Sequence, residues 1–279
     1  MSDIKLVALD LDGTLFNNSS RISAGNLAAI KEACDQGVYV VLSTGRPYQG
    51  LPFDQIKGSG IAYAITTNGS AVYEIEGKKC IFEDSMPPSL TLPIIRHLLT
   101  LDIHMDAFVH GIAYTPEKCV AAGNKINAPE VLKKYILETR TRVADMVDFV
   151  ESNQHNIQKM TLNFYPDANG ILVDRAVAHE FLLSRPEIEC VSGGYNNLEF
   201  TKRGVDKGVG LCALADHLGI PMSQTMAIGD TGNDVKIIQA AGFGVAMGNA
   251  TEDVLAVADA VTLTNVEDGV AAALRKYVL

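Results

Sequence analysis

No block of lysine or arginine occurs anywhere in the 279 residues, and the formal net charge is −10. That balance argues against nucleic acid as the main partner, since a phosphate backbone demands concentrated positive charge. A small phosphorylated ligand, held by one or two local cations, stays open. Cysteine is scarce too: Cys34, Cys80, Cys119, Cys190 and Cys212 are odd in number, scattered, and without a C-x-x-C pair. They read as reduced thiols, mostly small buried apolar residues, in a cytoplasmic protein. No apolar run approaches the roughly 20 residues of a membrane span. The N-terminus lacks the basic start and apolar core of an export signal. A soluble, cytoplasmic chain with no membrane partner is the expectation. No internal repeat is present, and the oligomeric state is not legible. The nucleotide cradles GxxxxGK[ST] and GxGxxG and the serine elbow G-x-S-x-G are also missing.

What is present is alternation. "KLVALD", "VYVVLST" and "IAYAIT" are apolar β-rich runs, and "SAGNLAAIKEACDQG" between the first two is a helix, capped by Ser23 and closed at Gly37. Continuous apolar strands separated by helices predict a parallel sheet covered on both faces. "SAVYEIEGKKCIFED" reads as a hairpin. After residue 192 the alternation resumes with "VDKGVGLCALADHLG", "TMAIGD", "NDVKIIQAAG", "GVAMG", "TEDVLAVAD", "AVTLT" and "EDGVAAALRKYV". Residues 86–192 differ: a helix after Pro87-Pro88, strands around Gly111, a polar helical stretch over 130–151, the strand "IQKMTLNFY", a helix over 171–184 and "IECVSGG". The fold expected is α/β: a Rossmann-like core of residues 1–85 and 193–279, with an α+β domain of residues 86–192 inserted into it.

Four short stretches each follow the C-terminal end of a predicted strand: Asp10 with Asp12, Thr44-Gly45-Arg46, Thr67-Asn68-Gly69, and Gly229-Asp230 with Asn233-Asp234. In open parallel sheets, ligands bind at that edge. Taken singly, each stretch is an ordinary turn or cap, and Lys207 is an ordinary solvated lysine at a helix start. If Lys207 instead balances the charge of a phosphoryl group, Lys207→Ala is expected to cripple catalysis and leave thermal stability nearly unchanged. "DLDG" does not fit a calcium loop, because Gly13 falls at the fourth position where the sixth is required. The convergence of all four stretches carries the argument.

Asp10, Asp12, Asp230 and Asp234 would bring four carboxylates into one cleft. A like-charge pair ~4 Å apart costs about 4 kcal/mol at an effective dielectric near 20. A hard dication removes that cost, and Mg²⁺ suits a site of few carboxylates and open water positions. Mg²⁺ in turn favours phosphate, for which Lys207 supplies a charge, Thr44 a hydroxyl and the Gly45 region backbone N–H groups. With nucleotide cradles and serine chemistry missing, the nucleophile left is a carboxylate that forms an acyl phosphate. The i, i+2 spacing of Asp10 and Asp12 lets both face one side of an extended segment. One can attack phosphorus while the other moves the proton.

"DLDGT" (10–14), the threonine of "STGR" (44), Lys207 of "DKG" and "GDTGND" (229–234) resemble, in order, the four motifs of the haloacid dehalogenase superfamily of phosphotransferases. The likeness spans essentially the whole chain. "STGRP", "TNGS", "GVAMGNA" and the insertion resemble its Cof-type branch, whose members carry an α/β cap. The resemblance implies Asp10 as nucleophile and Asp12 as general acid/base, with Thr44 and Lys207 on the phosphoryl group. It implies Mg²⁺ held by Asp10, the backbone carbonyl of Asp12 and Asp230, with Asp234 fixing the water shell. Asn233 falls at the phosphate pocket, and Arg46 and Asn68 on the substrate side. Asn249 is expected to cap a helix through the Asn-x-x-Glu252 pattern.

The expected activity is Mg²⁺-dependent hydrolysis of small phosphorylated metabolites, sugar phosphates foremost. A phosphomutase using the same nucleophile is the alternative. A phosphoacceptor signalling domain fits less well, because it needs neither an insertion nor Asp12. The physiological substrate is not legible; His110, Tyr114 and the loop over 192–197 are the candidates for choosing it.

Overall fold

The apolar run after Lys5 forms β1 (Leu6–Leu9), buried along its whole length. Ser23 then opens the helix Ala24–Asp35, its hydroxyl accepting from the Asn26 N–H at 3.0 Å. β2 (Tyr39–Ser43) and β3 (Tyr63–Thr66) follow, parallel to β1. β4 (Ala71–Glu74) and β5 (Lys79–Glu83) make the expected antiparallel hairpin, turning at Gly77. The structure, a computed structural model, describes residues 3–192 and 196–279.

Residues 84–205 form a second unit with its own sheet. Its strands are β6 (His104–Val109), β7 (Ile112–Pro116), β8 (Thr141–Val143), β9 (Lys159–Asn163), β10 (Ile188–Ser192) and β11 (Leu198–Lys202). They lie in the order β10-β11-β9-β6-β7-β8, antiparallel except for β7 with β8. Met105, Ala107, Met160, Leu162, Leu198 and Phe200 share a core with Ile94, Ile95 and Leu98 of the helix Pro88–Leu98. The intervening positions carry His104, Asp106, Lys159, Thr161 and Asn163, as the two-residue period of a strand dictates.

Two expectations change here. The unit runs to Val205, not residue 192, because β11 pairs with β9 and β10 and so belongs to the second sheet. The helical stretch over 130–151 is broken into Glu130–Thr139, β8 and Met146–Asn153. The Thr141-Arg-Val segment pairs with β7, and Asp145 caps a new helix through the Asp148 N–H. Three strand residues carry too little periodicity to be seen beside ten helical ones.

The chain then completes the first sheet with β12 (Thr225–Gly229), β13 (Phe243–Ala246) and the two-residue β14 (Ala260–Val261). The order is β14-β13-β12-β1-β2-β3-β4-β5, and the six strands from β14 to β3 are parallel. Val7, Leu9 and Leu42 pack on one face with Ile30 and Leu274, while Leu6, Ala8 and Val41 pack on the other with Leu211 and Ile237. Helices therefore cover both faces, as the continuous apolar strands predict. Among the described residues, no helix is long and apolar enough to cross a membrane.

Candidate active site

Because β12, β1, β2 and β3 are adjacent and parallel, the residues that follow them line one edge of the sheet. Asp10 follows β1, Thr44 follows β2, Thr67 and Asn68 follow β3, and Asp230 follows β12. Lys207 reaches the same edge as the first residue of the helix Lys207–Leu218. Asp206 caps that helix, accepting from Gly208 N at 2.8 Å and Val209 N at 3.1 Å. Gly69, at φ +92°, lets the turn after β3 press against the Asp206 backbone, where any Cβ would collide.

At the centre Lys207, fully buried, donates to Asp10 Oδ1 at 2.7 Å and to Asp234 Oδ1 at 2.6 Å. Asp234 Oδ2 accepts from Asp230 N at 3.0 Å and Thr231 N at 3.2 Å, closing a capping box with Thr231. Asp230 Oδ1 accepts from the Thr14 hydroxyl at 2.8 Å. Gly13, at φ +96°, abuts the Asp230 carboxylate so closely that a side chain there would strike it. One oxygen from each of Asp10, Asp230 and Asp234 lies within 4.8 Å of the others.

Three acids face one ammonium, so the cluster is under-neutralised. Burial drives the Asp10 carboxyl well above its ordinary range; Lys207 opposes this, and Asp234 and Asp230 add to it. Burial, then Asp234, pushes Asp230 up to about 7. Burial pulls the Lys207 ammonium down, but Asp10 and Asp234 outweigh it and hold the group charged, above its ordinary value. Three hard oxygen donors in a buried space short of positive charge are a donor set that fits Mg²⁺.

Asp12 stands apart from this cluster, which corrects the expectation of four converging carboxylates. β1 ends at Leu9 and the chain turns through Gly13, so the two-residue alternation of an extended segment does not apply at Asp12. Its half-exposed side chain meets Arg46 in a fork, Nε to Oδ2 at 2.8 Å and Nη2 to Oδ1 at 2.6 Å. The Arg46 guanidinium also lies over the Phe16 ring, 5.1 Å from its centre. Thr44 is buried and its hydroxyl accepts from Arg46 N at 3.1 Å, with Gly45 half-buried between them. Asn68 N donates to Thr44 O at 3.2 Å, and Asn233 Nδ2 to Asn68 Oδ1 at 3.4 Å. The two amides are thereby brought together across 165 positions of sequence.

Asn249 does not cap the helix Glu252–Leu255; Thr251 is the residue at its start. The Asn249 side chain donates instead to Gly13 O at 2.9 Å, a long-range bond that the local Asn-x-x-Glu pattern gave no means of seeing. Thr14 and Asn265 carry no signal of their own in the sequence as site residues, although Thr14 stands inside "DLDGT". In the second unit, the half-buried Tyr114 packs its ring against Phe149, at 4.5 Å between centres, on the margin of the core. His110 occupies the turn between β6 and β7 at φ +49°. Within the loop over 192–197, residues 193–195 lie outside the described residues.

The haloacid dehalogenase-like hydrolase family matches residues 7–274. The chain is 34% identical to the 5-amino-6-(5-phospho-D-ribitylamino)uracil phosphatase YcsE of Bacillus subtilis (strain 168), over 99% of this chain and 97% of that protein. Among solved structures it is similar to a haloacid dehalogenase-like hydrolase from B. subtilis, with a TM-score of 0.82, 29% identity, and coverage of 99% and 100% of the two chains. It is likewise similar to the HAD subclass IIB sugar phosphatase BT4131, with a TM-score of 0.79, 25% identity and 98% of each chain covered.

Proposed function

The chain belongs to the haloacid dehalogenase-like hydrolase family, as a phosphatase, and from that premise we propose that it hydrolyses phosphate monoesters of small metabolites, sugar phosphates foremost, through a phosphoryl group carried on Asp10. The observation that supports this most is the setting of Asp10. It is a buried carboxylate at the sheet edge, joined to Lys207 and within reach of Asp230 and Asp234.

In this reading an Asp10 oxygen attacks phosphorus as the bond to the leaving oxygen breaks. Asp12 gives that oxygen a proton, so the alcohol departs neutral. Water then attacks the phosphorus of the acyl phosphate, Asp12 takes the proton back, and the Asp10 carboxylate is regenerated with inorganic phosphate. Lys207, the Thr44 hydroxyl, the backbone beside Gly45, and the Asn68 and Asn233 amides hold the phosphoryl oxygens. Arg46 fixes the Asp12 carboxylate through its two-pronged pairing and stands on the substrate side of the site. Asp10, Asp230 and the Asp12 backbone carbonyl would hold Mg²⁺, and Asp234 would order its waters. Bound there, the ion neutralises the carboxylates and withdraws charge from the phosphoryl group. Residues 84–205 are assigned the choice of substrate. A cytoplasmic setting goes with the five free cysteines, whose thiols burial pushes up in every case.

The test is a screen of phosphorylated metabolites with Mg²⁺, scoring inorganic phosphate. Release abolished by Asp10→Asn is the expected result. Interconversion of isomers without phosphate release would make the chain a mutase instead.

A further inference from the structure

Two asparagines from the outer half of the first sheet reach back to the loop that carries Asp10 and Asp12. Asn249 lies in the loop after β13 and Asn265 in the loop after β14. Asn249 Nδ2 donates to Gly13 O at 2.9 Å, and its Oδ1 accepts from Asn265 N at 2.9 Å. Asn265 Nδ2 donates to Phe16 O at 2.8 Å. The pair therefore grips residues 13–16 at both ends, joining segments more than 230 positions apart.

Each grip leads to a different carboxylate. Gly13 precedes Thr14, whose hydroxyl holds Asp230 Oδ1, and Gly13 itself abuts that carboxylate. Phe16 lies beneath the Arg46 guanidinium, which forks onto Asp12. Asn249 is exposed and Asn265 only half-buried, so neither is needed to fill the core. The amide type matters: Asn249 both donates to and accepts from backbone, which neither Asp nor Ala can do. Resting on the hydrolase reading above, we infer that Asn249 and Asn265 are positioning residues, which set Asp12 and Asp230 through the loop over 13–16 without touching the reacting atoms.

The experiment compares wild type with Asn249→Ala, Asn249→Asp and Asn265→Ala in three measurements. Hydrogen–deuterium exchange of residues 11–16 should accelerate about tenfold or more in all three variants, because their backbone loses its tether. In kinetics with Mg²⁺, kcat on an alkyl phosphate should fall roughly 10- to 100-fold with little change in KM, the size of loss that small misplacements of reacting groups produce. The ratio of kcat/KM for the alkyl phosphate to that for p-nitrophenyl phosphate should fall as well, because displacing Asp12 hurts only the leaving group that needs its proton. Ile30→Val, a core change in the helix Ala24–Asp35, should lower the melting temperature and leave that ratio alone. Unchanged exchange over 11–16, or equal losses on both substrates in step with melting temperature, would overturn the inference. A wild-type enzyme releasing no phosphate from either ester would instead count against the hydrolase reading, and the exchange data would still decide whether the asparagines hold the loop.

Discussion

The Lys207 ammonium, with no exposed surface, lies 2.7 Å from the Asp10 carboxylate it faces across the sheet edge. A lysine at a helix start is ordinarily solvated and dispensable, and the sequence led to that expectation for stability. Burial reverses it. Lys207→Ala leaves Asp10 and Asp234 buried without their counter-charge, and breaking a buried pair costs about 3–5 kcal/mol. Activity should vanish and the urea midpoint should drop, most steeply in chelator. A variant as stable as wild type would mean that the fold does not depend on the Lys207 counter-charge.

Asp230→Asn should separate function from stability. The change keeps an acceptor for the Thr14 hydroxyl while removing one charge from the crowded trio of acids. In chelator the variant should melt higher than wild type, each kcal/mol of relief appearing as about 2–4 °C. Mg²⁺ should stabilise wild type and not the variant, and activity should be lost. A lower melting temperature in chelator would show that the acids are not repelling one another.

Asp12, outside the cluster and clamped by Arg46, is expected to act on the leaving group. Asp12→Asn should slow first-turnover release of an alkyl alcohol by about 10²–10⁴-fold. First-turnover release of p-nitrophenol should scarcely change, since that group leaves without a proton. Equal slowing of both would remove Asp12 from the role of general acid.

The second unit should weaken in acid. His104 is buried, 3.6 Å from Asp106, with its Nδ1 against Asn163 Nδ2 at 2.9 Å. Burial, with Arg140 adding to it, holds His104 below its ordinary pKa despite Asp106. The unfolded chain then binds the proton more readily than the folded one, so stability rises with pH and is lost as pH falls below about 6.5. Burial opposes the charge on Asp106, but Arg140, His104 and Thr115 outweigh it, so its contribution goes only at still lower pH. The urea midpoint at pH 7.5, relative to that at pH 5, should be higher in wild type than in His104→Gln, because the variant keeps every other titrating group and loses only this one. The same pH 5 to 7.5 difference in both proteins would show that His104 does not contribute to it.

The strands, the insertion and the sheet edge were legible because apolar runs, caps and turn residues act locally. Asp10, Thr44 and Asp230 could be read from their places after β1, β2 and β12, since parallel topology alone aligns those positions. The pairing of Asp12 with Arg46 could not, because it depends on how the chain turns at Gly13. The reach of Asn249 to Gly13 depends on a contact between segments 236 residues apart, which no local pattern encodes. β8 and β11 were missed for the same reason: a three-residue strand and a strand beside a boundary acquire their identity from partners in the sheet.

The central claim is that Asp10 carries the phosphoryl group, and Asp12→Asn offers the means to catch it there. With p-nitrophenyl phosphate the first step needs no proton, while hydrolysis of the acyl phosphate lacks its base, so the intermediate should accumulate. Enzyme quenched in acid after mixing with this substrate and Mg²⁺ can be cleaved by trypsin and its peptides weighed. The account predicts a hydroxylamine-labile phosphoryl group on the peptide spanning residues 6–21, formed in step with a burst of p-nitrophenol, and absent when Asp10→Asn is added. A burst of p-nitrophenol with no phosphoryl group on that peptide, or one that persists in the Asp10→Asn background, would contradict it.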